Sequence, residues 1–331
     1  MRCTSKGRRR FSLLLAALVC CGSLSGCSWG EKLEDGFAVD QPGLGIQEQS
    51  QEYDISYFAE DLCVAGEDVS ALDTDITDAL AACFFNLDTK EILYAKNIHT
   101  RVYPASTTKI MTALVALEHG SGSLDDQTAV SKEAITFHES GVSTAKLKEG
   151  DVLTLRQLLY ALLTVSANDA ANAIAEKVGG DIDTFVGMMN DKAHAIGATN
   201  THFVNPNGLH DEEHYTTAYD LYLMFQEAMK YDEFLEMLSV PLYEDSYLAA
   251  DGTSVPVSWP SSNLFTKGDV TVPEGVKASG GKTGTTKAAM SCLVQLFEDA
   301  EGERYVAVIL GCSERGTLYE EMQSFLSALN N

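Results

Sequence analysis

The stretch PASTTKIMTALVALEHG at residues 104–120 begins with polar residues and continues as a helix. Apolar side chains recur at helical spacing through residues 110–117, and Gly120 ends the pattern. A serine and a lysine three residues apart in a helix share a face, so Ser106 and Lys109 are expected to lie side by side. The positive end of the helix dipole favours a developing anion, and a neutral amine can accept a serine proton. The stretch therefore predicts Ser106 as a nucleophile and Lys109 as its base.

The spacing of this pair is not unique in the chain. Ser143 and Lys146 repeat it, and so do Ser279 and Lys282. Only Ser106 follows a proline and precedes an apolar helix, and this context favours it. The simpler interpretation, a solvated helix start, stays open on the motif alone.

Two further polar motifs follow. Ser166-Ala167-Asn168 separates helices predicted at 155–165 and 169–178, and it offers a hydroxyl and an amide that can bind a peptide. The similar Ser261-Ser262-Asn263 lies in a segment rich in Pro and Ser and is interpreted as a plain loop.

Lys282-Thr283-Gly284 occurs once and is predicted to lie on an exposed strand. A phosphate loop is excluded because the glycine spacing is wrong and the following segment is strand-like. A lysine with the hydroxyls of Thr283 and Thr285 suits a carboxylate instead, and Gly284 allows a substrate backbone to approach.

These three motifs, in this order, resemble the active-site set of penicillin-binding proteins and serine β-lactamases. The longer stretches at 104–114, 166–171 and 205–209, with His214 following, look like the low-molecular-mass D-alanyl-D-alanine carboxypeptidases. The resemblance covers roughly residues 54–331. It implies a sheet flanked by helices, a mostly helical subdomain, and a site between them.

The resemblance also implies a reaction on peptidoglycan stem peptides, without a cofactor or metal. Ser106 would attack the penultimate D-Ala carbonyl, Lys109 would be the base, and Ser166 would relay the proton to the leaving D-Ala. Asn168 would bind the substrate amide. The terminal carboxylate would be bound by Lys282, Thr283, Gly284 and Thr285. The backbone N–H groups of Ser106 and Thr285 would stabilise the oxyanion. β-Lactams are expected inhibitors. Relatives often carry an aromatic residue or His in place of Thr285, so the strength of that inhibition is left open.

Three alternatives remain. A class A β-lactamase needs a deacylating Glu downstream of Ser166; only Glu176 lies between Asn168 and His210, and its setting differs from that class. An endopeptidase that cuts cross-links would use the same residues. A catalytically silent lipoprotein that binds cell-wall peptide or β-lactam is the non-enzymatic alternative.

The predicted fold class is α+β, penicillin-binding/serine β-lactamase-like. Strand hairpins are predicted at 81–94 and 290–310, with helices between them, including a long one at 217–238, and a last helix at 318–329. Strands at both ends and helices between them predict an antiparallel sheet built from both termini, with flanking helices and a helical subdomain.

Composition and the N-terminus place this domain outside the cytosol. The 331-residue chain is 45% hydrophobic with a formal net charge of −25, which makes nucleic-acid binding unfavourable. Residues 1–26 are predicted to be a signal peptide, because three arginines precede a short apolar run. Leu24-Ser25-Gly26-Cys27 resembles a lipobox, so Cys27 is the expected lipidation site. Residues 27–52 are interpreted as a flexible tether and 53–331 as the domain, held at the outer face of the membrane. A lipid would replace the C-terminal anchor of many relatives, since the chain after Gly284 has room only for two strands and a helix.

The remaining candidates are four cysteines for disulfide bonds and two histidines for a metal site. Cys63, Cys83, Cys292 and Cys312 allow three full disulfide pairings or free buried thiols, and the sequence does not choose. His210 and His214 are interpreted as part of a polar loop rather than a zinc site.

Overall fold

The computed structural model describes residues 59–74, 76–120 and 122–329. The predicted signal peptide (1–26), the lipidation site Cys27, the tether (27–52) and the predicted domain start (53–58) lie outside the described residues. Within the described ranges, no helix is both long and apolar enough to cross a membrane.

A six-stranded antiparallel sheet forms the centre of the described domain, in the strand order β1-β3-β2-β10-β9-β8. The strands are β1 (Val69–Ser70), β2 (Ala81–Asn86), β3 (Ile92–Lys96), β8 (Lys277–Thr286), β9 (Met290–Glu298) and β10 (Arg304–Cys312). β2 pairs with β10, with Phe85 opposite Val306, which joins the two ends of the domain. The predicted sheet built from both termini, and with it the α+β class, is confirmed. β8 lies at one edge, and this edge borders the candidate site.

Both faces of the sheet are buried, and successive side chains along each strand point to opposite faces. In β2, Cys83 and Phe85 pack into the larger core between the sheet and the helices. Phe84 points to the opposite face, where its ring stacks on Phe325 with centroids 5.0 Å apart.

Seven of the eight α-helices lie in the chain between β3 and β8, within the described ranges. They are α1 (Lys109–Gly120), α2 (Leu155–Leu163), α3 (Asn168–Gly179), α4 (Ile182–Ala195), α5 (Ala218–Ala228), α6 (Asp232–Ser239) and α7 (Leu264–Lys267), while α8 (Arg315–Leu329) follows the last strand. α1 is buried almost all round, from Lys109 to Leu117, which is typical of a helix in the middle of a core. This central position fixes the turn that leads into α1, which carries Ser106, at the junction of sheet and helices.

The single helix predicted at 217–238 is wrong. The structure has two helices, α5 and α6, joined by a turn at 229–231. Tyr231 adopts an extended backbone before α6, and two acids in the first turn of α6 favour a new helix start. The turn brings the Phe234 ring against that of Phe225, with centroids 5.6 Å apart.

A second, four-stranded sheet was not predicted. It contains β4 (Gln127–Ala129), β5 (Val152–Thr154), β6 (Leu242–Leu248) and β7 (Ser254–Pro260). Pro256 and Pro260 argue against a strand in the sequence, but β7 is an edge strand, where proline is tolerated.

The four cysteines of the domain are buried free thiols. Of the alternatives left open by the sequence, the structure therefore has no disulfide among Cys63, Cys83, Cys292 and Cys312.

Candidate active site

A cleft opens where the edge strand β8 meets the first turn of α1 and the link between α2 and α3. Two connected cavities of about 280 and 340 Å³ share Ser106 and Thr285 in their walls. The structure thus brings together the three motifs that the sequence placed far apart in the chain.

Ser106 lies in a single 3-10 turn, Ala105–Thr108, that leads into α1. Ala105 has a φ of +48°, a left-handed conformation that is costly for a residue with a Cβ. Ser106 is partly exposed to the cleft, whereas Lys109 is fully buried beneath it. The Nζ atom of Lys109 is 3.0 Å from Ser106 Oγ, as the shared helix face predicts.

Lys109 is surrounded so that its neutral form is favoured. Nζ donates to Asn168 Oδ1 (2.6 Å) and to the backbone oxygen of Asn207. These two acceptors occupy both N–H bonds of a neutral amine, so the remaining lone pair faces Ser106 Oγ. Burial, followed by the charge of nearby Lys282, holds the pKa of Lys109 well below its usual value. The geometry and the charge state are therefore those of a base for Ser106.

A second serine–lysine pair faces the first. Lys282 Nζ donates to Ser166 Oγ (2.9 Å) and to the oxygen of Thr283 (2.8 Å). Ser166 has a φ of +59°, and its side chain is nearly buried. The strand was predicted to be exposed, but Lys282 is fully buried and its burial lowers its pKa to about 7. Next to Lys282, Thr283 is partly exposed and Thr285 is exposed, and both line the cleft.

The link that carries Ser166 is fixed by a neighbouring segment. Asn168 N donates to Ser143 O (2.9 Å), and Ser143 Oγ donates to Val165 O (2.7 Å). Asp169 is buried and accepts from Ala145 N (2.9 Å) and from Leu147 N (3.0 Å). Ser143, whose Ser-x-x-Lys spacing made it a decoy in the sequence, thus supports the site.

Gly284 is where β8 touches the turn of the nucleophile. A Cβ at this position would lie 2.9 Å from Pro104 O, Ser106 N and Thr107 N. Only glycine allows the strand this close, and Ser106 and Thr285 thereby line the same cavities. Two backbone donors so placed can stabilise an oxyanion on a carbonyl attacked by Ser106.

His214, which the sequence analysis interpreted as part of a polar loop, lies behind the turn of the nucleophile. It is buried; its Nδ1 accepts from Val204 N (3.1 Å), and its Nε2 is 2.8 Å from Thr108 Oγ1. Thr108 Oγ1 donates to Ala105 O (2.8 Å), so it accepts the proton of His214 Nε2. Burial lowers the pKa of His214 to about 4, which keeps this tautomer neutral. The chain of bonds ends on the strained residue that precedes the nucleophile. No group of three or more His, Cys, Asp and Glu side chains in the described ranges could hold a metal.

Arg315 and Ser262 were missed by the sequence reasoning. Arg315, the exposed first residue of α8, donates through its guanidinium to Ser262 O and lines the smaller cavity with Thr283. Ser262 Oγ is 2.8 Å from Thr283 Oγ1, so the segment interpreted as a plain loop forms one wall. Neither has a sequence signal of its own, since each reaches the cleft only through the packing of α8 and of the segment before α7 against β8.

Glu176, the acid considered for a β-lactamase reaction, is directed elsewhere. It lies near the end of α3, where its Oε1 accepts from Ser131 Oγ (2.7 Å). It lines neither of the two cavities beside Ser106.

Comparison with known proteins agrees with this geometry. Residues 68–314 match the family model described as D-alanyl-D-alanine carboxypeptidase. The chain belongs to this family. The family predicted from the three motifs is thereby confirmed.

Relatives of this family member include curated proteins and solved structures. D-alanyl-D-alanine carboxypeptidase DacF of Bacillus subtilis (strain 168) is 35% identical over 254 residues, which span 75% of this chain and 62% of DacF. DacB2 of Mycobacterium tuberculosis is 34% identical, over 70% of this chain and 74% of DacB2. The crystal structure of the Streptomyces K15 DD-transpeptidase superposes with a TM-score of 0.71 at 29% identity, covering 78% of this chain and 98% of the other. The two chains therefore share one fold over most of their described length.

Proposed function

We propose that this protein is a serine-type D-alanyl-D-alanine carboxypeptidase that removes the terminal D-Ala of peptidoglycan stem peptides. The observation that carries the proposal is the pair Ser106–Lys109, in which Lys109 Nζ is 3.0 Å from the serine oxygen and has its N–H bonds occupied by two other acceptors. The pair opens into a cleft along an unpaired strand edge, which is suited to an extended peptide.

Acylation follows from this arrangement. Lys109 takes the proton of Ser106 as its oxygen attacks the carbonyl of the penultimate D-Ala, and the N–H groups of Ser106 and Thr285 receive the oxyanion. Such donors are worth about 10²–10³-fold in rate each in other hydrolases. As the peptide bond breaks, Ser166 passes its proton to the nitrogen of the leaving D-Ala and regains one from the Lys109 ammonium, so an ester on Ser106 and a neutral Lys109 remain. Lys109 then takes a proton from the water that attacks the ester and returns it to the Ser106 oxygen as the shortened peptide is released.

The leaving residue carries a carboxylate, and the smaller cavity has the groups to bind it. Lys282 and Arg315 supply positive charge there, and Thr283 and Ser262 supply hydroxyls. Local cations matter in a protein with a net charge of −25, because its overall field repels an anionic substrate. Asn168 is placed to bind a substrate amide through its side chain, beside the serine.

The test is release of D-Ala from diacetyl-Lys-D-Ala-D-Ala by the purified protein, with and without prior penicillin. Release that penicillin blocks, and that Ser106→Ala abolishes, supports the carboxypeptidase. Rapid penicillin hydrolysis with an untouched peptide would make the protein a β-lactamase. Cleavage of cross-linked dimers in preference to the monomeric peptide would make it an endopeptidase, and absence of both products and adduct would leave a silent binding protein.

We also infer that the protein is exported and tethered by a lipid on Cys27 to the outer face of the membrane. The support is the order of the basic start, the apolar run and the Leu-Ser-Gly-Cys sequence. The mass of the mature N-terminus tests it. A diacylglyceryl Cys27, lost in Cys27→Ser, is expected; an unmodified Cys27, or cleavage at another position, would contradict it.

A further inference from the structure

The larger cavity beside Ser106 contains two charges that the reaction above does not use. Glu139 and Lys287 are its only charged lining residues, and Asn168 and Thr286 lie among its neutral ones. This cavity is therefore a second compartment of the cleft with its own electrostatic character.

The direction of β8 determines which part of the substrate enters this compartment. In the proposed function Lys282 and Thr283 attract the terminal carboxylate, and Gly284 abuts the turn that bears Ser106. The strand then continues through Thr286 towards Lys287, away from the carboxylate side. A peptide that pairs along this edge antiparallel to β8 therefore places the residues preceding D-Ala-D-Ala over the larger cavity.

Each charge stands on an anchored element. Glu139 lies in the segment that ends at Ser143, whose oxygen accepts from Asn168 N (2.9 Å). Lys287 lies in the short turn between β8 and β9, which is closed by the bond from Ala289 N to Thr286 Oγ1 (3.0 Å). The two side chains thus arise from different segments that line one compartment.

Both side chains are free to meet a ligand. Glu139 and Lys287 are exposed, and neither makes an ion pair or a side-chain hydrogen bond with any residue in 59–74, 76–120 or 122–329. By contrast, Lys192 in α4 is neutralised by two glutamates at 2.9 and 3.1 Å. A compartment with one unpaired charge of each sign is complementary to a group that carries both.

We propose that Glu139 and Lys287 form a specificity subsite for the side chain of the residue that precedes D-Ala-D-Ala, and that this subsite prefers a side chain ending in both an ammonium and a carboxylate group. Glu139 receives the ammonium and Lys287 the carboxylate. An extended residue advances the chain by about 3.3 Å, so this side chain starts one residue beyond Ser106, within the compartment. The inference rests on the proposed carboxypeptidase function and names its preferred substrate class.

The test compares kcat/KM for D-Ala release from three peptides X-D-Ala-D-Ala with the full protein. X is 2,6-diaminopimelyl joined through one amino acid end, lysyl, or Nε-acetyllysyl, so the side chain carries two charges, one charge or none. In the wild type we expect kcat/KM to fall about three- to fivefold at each step, the range of an exposed ion pair. In Glu139→Gln, kcat/KM for the lysyl peptide should be close to that for the acetyllysyl peptide. In Lys287→Gln, kcat/KM for the diaminopimelyl peptide should be close to that for the lysyl peptide.

Matched controls lie on the nearby exposed segment. Glu133→Gln and Lys132→Gln make the same changes of charge outside the cavity, so both ratios should keep their wild-type values. Equal kcat/KM for the three peptides in the wild type would overturn the subsite. An equal loss for all three peptides in Glu139→Gln would instead make that residue part of the chemistry and would also overturn it. If none of the three peptides releases D-Ala, the carboxypeptidase function itself is contradicted.

Discussion

The cleft contains the same chemical pair twice, and the two copies have different surroundings. Ser106–Lys109 and Ser166–Lys282 have Oγ–Nζ distances of 3.0 and 2.9 Å, and both lysines are fully buried. Lys109 has two further acceptors, and burial together with the charge of nearby Lys282 holds its pKa well below the usual value. Lys282 has one further acceptor, Thr283 O, and burial lowers its pKa to about 7.

Because the two pairs share nearly the same distance, we infer that their surroundings set their proposed roles. With both N–H bonds of a neutral amine occupied, Lys109 directs its lone pair at its serine. A pKa of about 7 lets Lys282 hold a proton near neutral pH, which suits the proposed carboxylate-binding cation beside the proton relay. Changes at either pair should therefore have unequal effects.

The largest effect is expected at the base. Lys109→Gln keeps a polar side chain but removes the lone pair, so acylation by penicillin should slow by about 10²–10⁴-fold. Stopped-flow or mass-resolved acylation rates measure it. Lys146→Gln is the matched control, because Lys146 has the same spacing from Ser143 but is exposed. An equal loss in both variants would remove the special role of Lys109.

The next effect concerns the contact of β8 with the turn of the nucleophile. Gly284→Ala would place a Cβ 2.9 Å from Ser106 N, so the strand or the turn must shift. A misplacement of about 1 Å costs on the order of 10²-fold in rate, which should appear in the acylation rate. Gly187→Ala in α4, where a Cβ has open space, is the control and should leave that rate unchanged. An unimpaired Gly284→Ala variant would mean that this close approach has no role in the reaction.

Lys282 should give the carboxylate affinity a pH dependence. Below a pH of about 7 its side chain is the ammonium form, and above it the neutral form. KM for a peptide with a free terminal carboxylate should therefore rise up to tenfold per pH unit above this pKa, as the cation is titrated. The terminal methyl ester lacks the anion and serves as the matched substrate. A rise of KM shared by the acid and the ester would assign the effect to another group.

The smallest effect on activity, and a clear one on stability, is expected at His214. Burial lowers its pKa to about 4 in the fold, so the unfolded chain binds more protons between pH 6.5 and 4. The free energy of unfolding should fall across this window by about 3 kcal/mol as the pH decreases, from 1.36 kcal/mol per unit of pKa. Denaturant unfolding at pH 7, 5.5 and 4 measures it. His214→Gln should flatten this dependence while exposed His138→Gln should not; equal slopes in all three proteins would contradict it.

Local sequence predicted those parts of the protein that local physics determines. The apolar period of α1, the short apolar run of β2 and the link at Ser166 each depend on a few adjacent residues, and each is found where expected. The family motifs added the order in which these elements meet at one cleft.

The remaining features depend on packing between distant segments. β7 is a strand despite Pro256 and Pro260 because it lies at a sheet edge. Arg315 enters the cleft because α8 starts beside the segment of Ser262. Neither the edge position of β7 nor the place of Arg315 in the cleft is marked by a periodic pattern or by composition. A single sequence therefore could not predict them.

The most direct test of the two-pair account is the intact mass of the protein after incubation with penicillin, for the wild type, Ser106→Ala and Ser166→Ala. The account predicts one penicilloyl adduct on Ser106 in the wild type, none in Ser106→Ala, and a slowly formed adduct on the same Ser106 in Ser166→Ala. An adduct that persists in Ser106→Ala, or one that maps to Ser166, would contradict the assignment of the nucleophile and its base.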